Sequence, residues 1–67
     1  MNITLNNRPE SFEQSKFTIN QLLEIKKFTF KMLVIKVNGE LVKKDEYDSY
    51  IVKDGDDVNV LHLISGG

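Results

Sequence analysis

The chain opens with an alternation of polar and apolar positions, Asn2-Ile3-Thr4-Leu5, which is the period of a half-buried strand. Asn6-Asn7 follows, and asparagine tolerates the positive φ that tight hairpin turns require. Residues 8 to 14 are therefore expected to return as a second strand, and Pro9, which has no N–H to donate, places that strand at a sheet edge. The period then changes. Thr18 offers a helix N-cap with Gln21 three residues later, the spacing of a capping box. Ile19, Leu22 and Leu23 share one helical face at i, i+3 and i+4. The pattern predicts a helix from near 18 to near 27, with Lys26 and Lys27 at the end where cations suit the helix dipole. Lys26 falls on the apolar stripe, so either the stripe weakens there or the lysine snorkels.

Met32 to Val37 is rich in β-branched residues, and if Lys36 points to water then Leu33, Ile35 and Val37 point inward. Asn38-Gly39 marks a tight turn, and Leu41-Val42 begins a short strand. Residues 43 to 49 are polar apart from Tyr47 and read as a turn or a single helical turn. Tyr50-Ile51-Val52 is a short apolar anchor. Asp54-Gly55-Asp56-Asp57 is a turn that launches a last strand, Val58 to Ile64. In that strand Val58 and Val60 share one face while Asn59, Leu61 and Leu63 share the other. If the valines face the helix, Leu61 and Leu63 form an exposed apolar patch of the kind that marks a partner site, unless a loop, the tail or strand twist covers them. The order of hairpin, helix, strand, short strand and final strand predicts an α+β domain. One main helix would lie across one face of a mixed four- to five-stranded sheet.

A chain of 67 residues is one domain. It buries roughly 60% of the surface its unfolded form exposes, which leaves little room for an internal active-site cavity and directs attention to the surface and the termini. There is no Cys, hence no disulfide framework and no thiolate chemistry. Lys and Arg number 9 against 10 Asp and Glu, a net charge of -1 that argues against a general nucleic-acid binder. The longest apolar stretch, Met32 to Ile35, is far too short to span a membrane, and the first residues lack a signal-peptide pattern. A soluble, cytoplasmic protein, monomeric when free, is the expectation. His62 is the only histidine and has no Cys or second His with which to share a metal, so it reads as a partly exposed strand residue. Asp54, Asp56 and Asp57 lack the remaining ligand positions of a calcium loop and read as turn chemistry. No acid, base and nucleophile set is visible, so a self-contained enzyme is not expected.

The chain ends Ile64-Ser65-Gly66-Gly67. Two glycines alone describe an ordinary mobile terminus. Here a predicted strand runs almost directly into them, which divides the chain into a body, 1–64, and a flexible tail, 65–67. Extended, Ile64 to Gly67 spans at most roughly 13 to 14 Å, enough to enter a partner's cleft while the body docks outside. Glycine has no Cβ, so the backbone can pass a narrow channel and the terminal carbonyl stays uncrowded. A free carboxylate is inert to nucleophiles until ATP converts it to a mixed anhydride. No phosphate-binding glycine loop is present, so the chain binds no cofactor itself, and ATP would be handled by a separate enzyme.

The stretch Ile51-Val52-Lys53-Asp54-Gly55-Asp56-Asp57-Val58, with Ile64-Ser65-Gly66-Gly67 at the end, resembles the C-terminal half of the ThiS family, the sulfur carriers of thiamin biosynthesis. Val37-Asn38-Gly39-Glu40-Leu41-Val42 resembles their central turn, and Thr18 with Leu22-Leu23 the start of their helix. The resemblance implies the ubiquitin-like β-grasp fold. It also implies two partners, an E1-like adenylyltransferase of the ThiF type and a thiazole synthase of the ThiG type. Gly67 carries over as the residue that is adenylated and then converted to a thiocarboxylate with sulfur from a donor, and Gly66 as its slim neighbour. Leu61, Leu63 and Ile64 are the expected partner-binding residues of the body. Lys36 stands where small apolar residues are common in the family, Tyr47 where an aromatic such as Trp occurs, and the segment between helix and third strand is short. A molybdopterin-synthase small-subunit type of carrier, a ubiquitin-like protein modifier and a plain binding module are the alternatives.

Overall fold

The structure, a computed structural model, describes residues 1–29 and 32–63. Its strands are β1 (Asn2–Leu5), β2 (Arg8–Ser11), β3 (Lys16–Thr18), β4 (Leu33–Val37), β5 (Glu40–Val42), β6 (Ile51–Lys53) and β7 (Asp57–His62). Among the described residues one α-helix, α1, spans Ile19–Ile25, and one 3-10 turn spans Lys44–Glu46. Five strands form a mixed sheet in the order β2-β1-β7-β4-β5, in which only β1 and β7 run parallel. Strands β3 and β6 pair separately as an antiparallel ribbon. The pattern predicts the mixed sheet with one main helix, and the resemblance implies this β-grasp arrangement of them.

Turn chemistry sets the two hairpins. Asn6 and Asn7 have φ of 51° and 66°, and Asn38 and Gly39 have φ of 52° and 84°. Two successive positive φ values give the turn whose twist matches that of paired strands. They fix the registers Leu5↔Arg8 and Val37↔Glu40. Strand β2 is the sheet edge expected from Pro9, but it stops at Ser11 rather than running on to 14. Past Ser11 the pairing carries on for one more step, Phe12 donating its N–H to the Met1 carbonyl while the Met1 amino group reaches the carbonyls of Phe12 and Gln14. Strand β3 had no visible signal, because three residues are too few to show a period. Its Phe17, opposite Val52, closes the bottom of the core and meets Phe12 edge to face at 5.0 Å.

The helix begins as predicted. Thr18 Oγ1 accepts from the Gln21 N–H at 3.1 Å, and Gln21 Oε1 accepts from the Thr18 N–H at 2.8 Å. It ends about two residues early. Lys27 turns left-handed at φ 57°, Lys27 N–H donates to Glu24 and Phe28 N–H to Leu23, which is a Schellman closure built on lysine rather than glycine. Lys26 leaves the apolar stripe to meet both carboxylate oxygens of Glu10 at 3.1 Å. The helix buries Ile19 and Leu22 among Ile3, Leu5, Ile35, Val37, Val42, Val58 and Val60. Lys36 is exposed, Ile35 and Val37 are buried, and Leu33 is half-buried.

The aspartate turn ties strands together. The Asp56 carboxylate, only 6% exposed, accepts from the Lys53 N–H at 3.0 Å and from Asn38 Nδ2 at 3.1 Å. Asn38 Oδ1 accepts from the Asp57 N–H at 2.9 Å, and Asp54 Oδ1 accepts from the Asn2 N–H at 2.7 Å. The turn before β7 is thereby joined both to the β4–β5 turn and to β1. Asp56→Ala strands two donors and is expected to cost about 2 kcal/mol in urea unfolding. Asp56→Asn, which keeps one acceptor oxygen, is expected to cost less.

Candidate functional site

Strand β7 lies at the centre of the sheet, between β1 and β4, and carries the chain to its predicted working end. Past His62, the Leu63 N–H donates to the Met32 carbonyl at 3.0 Å, so the strand finishes beside the start of β4. The predicted modified residue Gly67, its neighbours Gly66 and Ser65, and Ile64 lie outside the described residues. What the structure provides is the root of the tail and the two surfaces that meet there.

The first surface is the sheet face turned away from the helix. Val58 and Val60 are buried, so Asn59 and Leu61 point the other way. The antiparallel registers put Val34 opposite Leu61, Lys36 opposite Asn59, and Leu41 opposite Lys36. Paired residues share a face. Leu61 and Leu41 are 52% and 58% exposed, and Val34 is half-buried. Leu61 is thus part of an exposed apolar patch, as its alternation with the valines predicts.

The second surface is a groove of about 690 Å³ beside the helix, lined by Leu23, Phe28, Leu33, Tyr47 and Leu63 among others. Leu63 is exposed, but it does not stay on the face of Leu61. The ladder ends at His62, the alternation no longer governs the next residue, and Leu63 lines the groove together with side chains of the helix-bearing side. Leu61 and Leu63 therefore flank the tail root from two sides rather than forming one patch.

Little here can do chemistry. Burial raises the Tyr47 hydroxyl, and burial followed by the Asp56, Glu40 and Glu46 carboxylates raises that of Tyr50, so both phenols stay neutral near pH 7. His62 is exposed in β7 opposite Leu33. Among the described residues no three His, Asp or Glu side chains converge as metal ligands. The sequence pattern did not single out Val34 and Leu41 as companions of Leu61. Counting outward from the Asn38-Gly39 turn would have placed Leu41 opposite Lys36, but the β4–β7 register joins distant segments and leaves no local mark.

A family model described as the ThiS family matches residues 3–67. The crystal structure of a thiamine biosynthesis protein (ThiS) from Geobacter metallireducens is similar, with a TM-score of 0.90 at 30% identity over 100% of both chains. An NMR solution structure of a thiamine biosynthesis protein from Geobacter metallireducens gives a TM-score of 0.80 at 30% identity, covering 100% of this chain and 88% of that one. Comparison with curated proteins finds no match. Family match and fold agree along nearly the whole length, and the chain belongs to the ThiS family.

Proposed function

We propose that this protein is a sulfur carrier for assembly of the thiamin thiazole, and that its reactive group is the carboxylate of Gly67. The observation that carries the reading is that the family match runs through Gly67 itself, not merely through the folded body. The chain is a substrate of other enzymes rather than an enzyme.

In the first step a Gly67 carboxylate oxygen attacks the α-phosphorus of ATP on an E1-like, ThiF-type adenylyltransferase, and pyrophosphate leaves. The terminal sulfur of a cysteine-derived persulfide then attacks the acyl carbon and AMP leaves. A second thiol cleaves the S–S bond of that adduct, which releases the thiocarboxylate and leaves a disulfide. The thiocarboxylate sulfur then passes to a ThiG-type thiazole synthase. Gly66 and Ser65 connect body to reacting carbon, and the missing Cβ at the last two positions lets the backbone pass a narrow channel. ATP places these steps in the cytoplasm, with the free carrier acting as a monomer.

Leu61, Leu63 and Ile64 are the body's docking residues in this reading. Replacing Leu61 and Leu63 together by Ser is expected to raise the KM for the carrier in adenylation about tenfold or more, with the fold retained. An unchanged KM in a folded double variant would remove them from the interface. The central test is intact mass after incubation with ATP, a sulfur source and the cognate adenylyltransferase. The gain of sulfur for oxygen is expected in wild type. Its absence with a demonstrably competent enzyme would overturn the carrier reading. Co-purification with thiazole synthase, rather than with a molybdopterin-synthase subunit, separates the two carrier pathways.

A further inference from the structure

We infer that Asn38 is a site of covalent self-modification, deamidation through the Gly39 amide, and that the Asp56 carboxylate is the guard that holds it off in the folded protein. The inference is independent of the carrier reading, since the reaction needs only this chain and water.

Among Asn2, Asn6, Asn7, Asn20, Asn38 and Asn59, only Asn38 is followed by glycine. A glycine nitrogen has no Cβ beside it, so it can approach the side-chain carbon of the preceding asparagine closely. The Gly39 nitrogen attacks Asn38 Cγ, and Nδ2 leaves as ammonia with the proton of the Gly39 amide. A cyclic imide is left. Water then opens it at one of two carbonyl carbons. Opening at Cγ gives an aspartate, and opening at the main-chain carbon gives an isoaspartate whose chain runs on through Cγ. In sum one water enters and one ammonia leaves, with nothing oxidised or reduced.

The fold opposes the first step. Asn38 Nδ2 donates to Asp56 Oδ1 at 3.1 Å, and Asn38 Oδ1 accepts from the Asp57 N–H at 2.9 Å. Closing the ring swings Cγ onto the Gly39 nitrogen and breaks both bonds. The Asp56 carboxylate, buried as it is, then keeps only the Lys53 N–H of its two donors. Burial of the turn itself supplies no protection. Asn38 and Gly39 are exposed, and a Cβ added at Gly39 would meet nothing within 4 Å. The guard is the hydrogen-bonded clasp, and deamidation proceeds through its local opening.

The hairpin alone does not account for the asparagine. Aspartate before glycine also serves a turn with two positive φ values, and it carries no labile amide. An aspartate at 38 could still accept from the Asp57 N–H. What it could not do is donate to Asp56. Asp56 therefore selects the amide, and the amide before Gly39 brings the liability. Once the amide is lost the clasp does not refasten. Aspartate sets carboxylate against carboxylate in a site where Asp56 is 6% exposed. Isoaspartate adds a backbone carbon to a turn whose register is Val37↔Glu40. The modification runs one way and loosens the junction between the β4–β5 turn and the start of β7.

The test is the rate of Asn38 conversion in the full chain, held in mildly alkaline buffer and read by peptide mass mapping with separation of the aspartate and isoaspartate products. Wild type unfolded in urea sets the unguarded rate, and native wild type is expected to be slower by at least about tenfold. Native Asp56→Ala, with far-UV circular dichroism as the fold control, is expected to convert at least about tenfold faster than native wild type. Asp54→Ala loses a bond of the same turn to the Asn2 N–H but none to Asn38, and its rate should stay within about twofold of wild type. Native conversion as fast as in urea would overturn the inference, and so would equal acceleration by Asp54→Ala. A second measurement does not depend on the folding of Asp56→Ala. Asn38→Asp should lower the urea midpoint, and adding Asp56→Asn should recover most of that loss, because the exchange restores one donor facing one acceptor. An Asn38→Asp midpoint equal to wild type, or no recovery in the double variant, would also overturn it.

Discussion

Removal of Gly67 is expected to leave a folded protein that takes up no sulfur. Leu63 is the last described residue bonded to the sheet, through Met32, and the buried core ends at Val60. Gly67 lies four residues beyond Leu63 in the sequence and has no side chain, so its loss is expected to leave the thermal midpoint unmoved. The chemistry is another matter. The shortened chain still ends in a glycine carboxylate, that of Gly66, but this group falls one residue short, about 3.3–3.6 Å, of the position the full tail reaches. A misplacement of 1 Å at a reacting centre can cost about 100-fold, so adenylation should fall by at least that factor. Gly66→Val separates reach from width. It keeps the length and puts a β-branched side chain where the backbone must slip through, and it should also slow adenylation severely, with Gly66→Ala falling between it and wild type. Intact mass after turnover reads all three variants. Sulfur incorporation at the wild-type rate without Gly67 would mean that the tail is not the working part.

The features legible in the sequence were those with local chemistry. The Asn6-Asn7 and Asn38-Gly39 turns, the Thr18–Gln21 capping box and the inward alternation of Ile35 and Val37 each follow from residues a few positions apart. Those not legible depend on distant partners. Strand β3 exists because Lys16 to Thr18 meets Ile51 to Lys53, and nothing in three residues announces a partner more than thirty positions away. The helix end was misjudged because its left-handed cap is Lys27, where glycine is the usual signal. The apolar patch was half visible. Alternation located Leu61, but only the β4–β7 register adds Val34 and sets Lys36 among them. Leu63 departed from the pattern because alternation holds only while the ladder lasts, and β7 ends one residue earlier. Gly67 stood out because the chemistry proposed for it needs no neighbours within this chain.

Leu22→Ala is expected to be the most damaging single truncation of the body. The helix has only seven residues, about two turns, and a helix that short does not persist in water by its own propensity. What holds it is the burial of Ile19 and Leu22, both fully inaccessible, against the sheet. Truncating a buried leucine costs about 2–5 kcal/mol in lost transfer energy and residual cavity. A domain of this size has roughly 3–10 kcal/mol of total stability, so one substitution removes a large share of it. The exposed helix position Glu24 is the control: Glu24→Ala should change stability by less than about 0.5 kcal/mol. Urea unfolding reads both, with a midpoint lowered by about 1–2 M for Leu22→Ala at an unchanged slope. The same variant also separates body from tail. Its Gly66-Gly67 end is intact, so its adenylation rate per folded molecule should match wild type, and only the folded fraction should fall. A rate per folded molecule that fell as well would mean that the helix side of the domain, where Leu63 and Leu23 line one groove, takes part in presenting the tail.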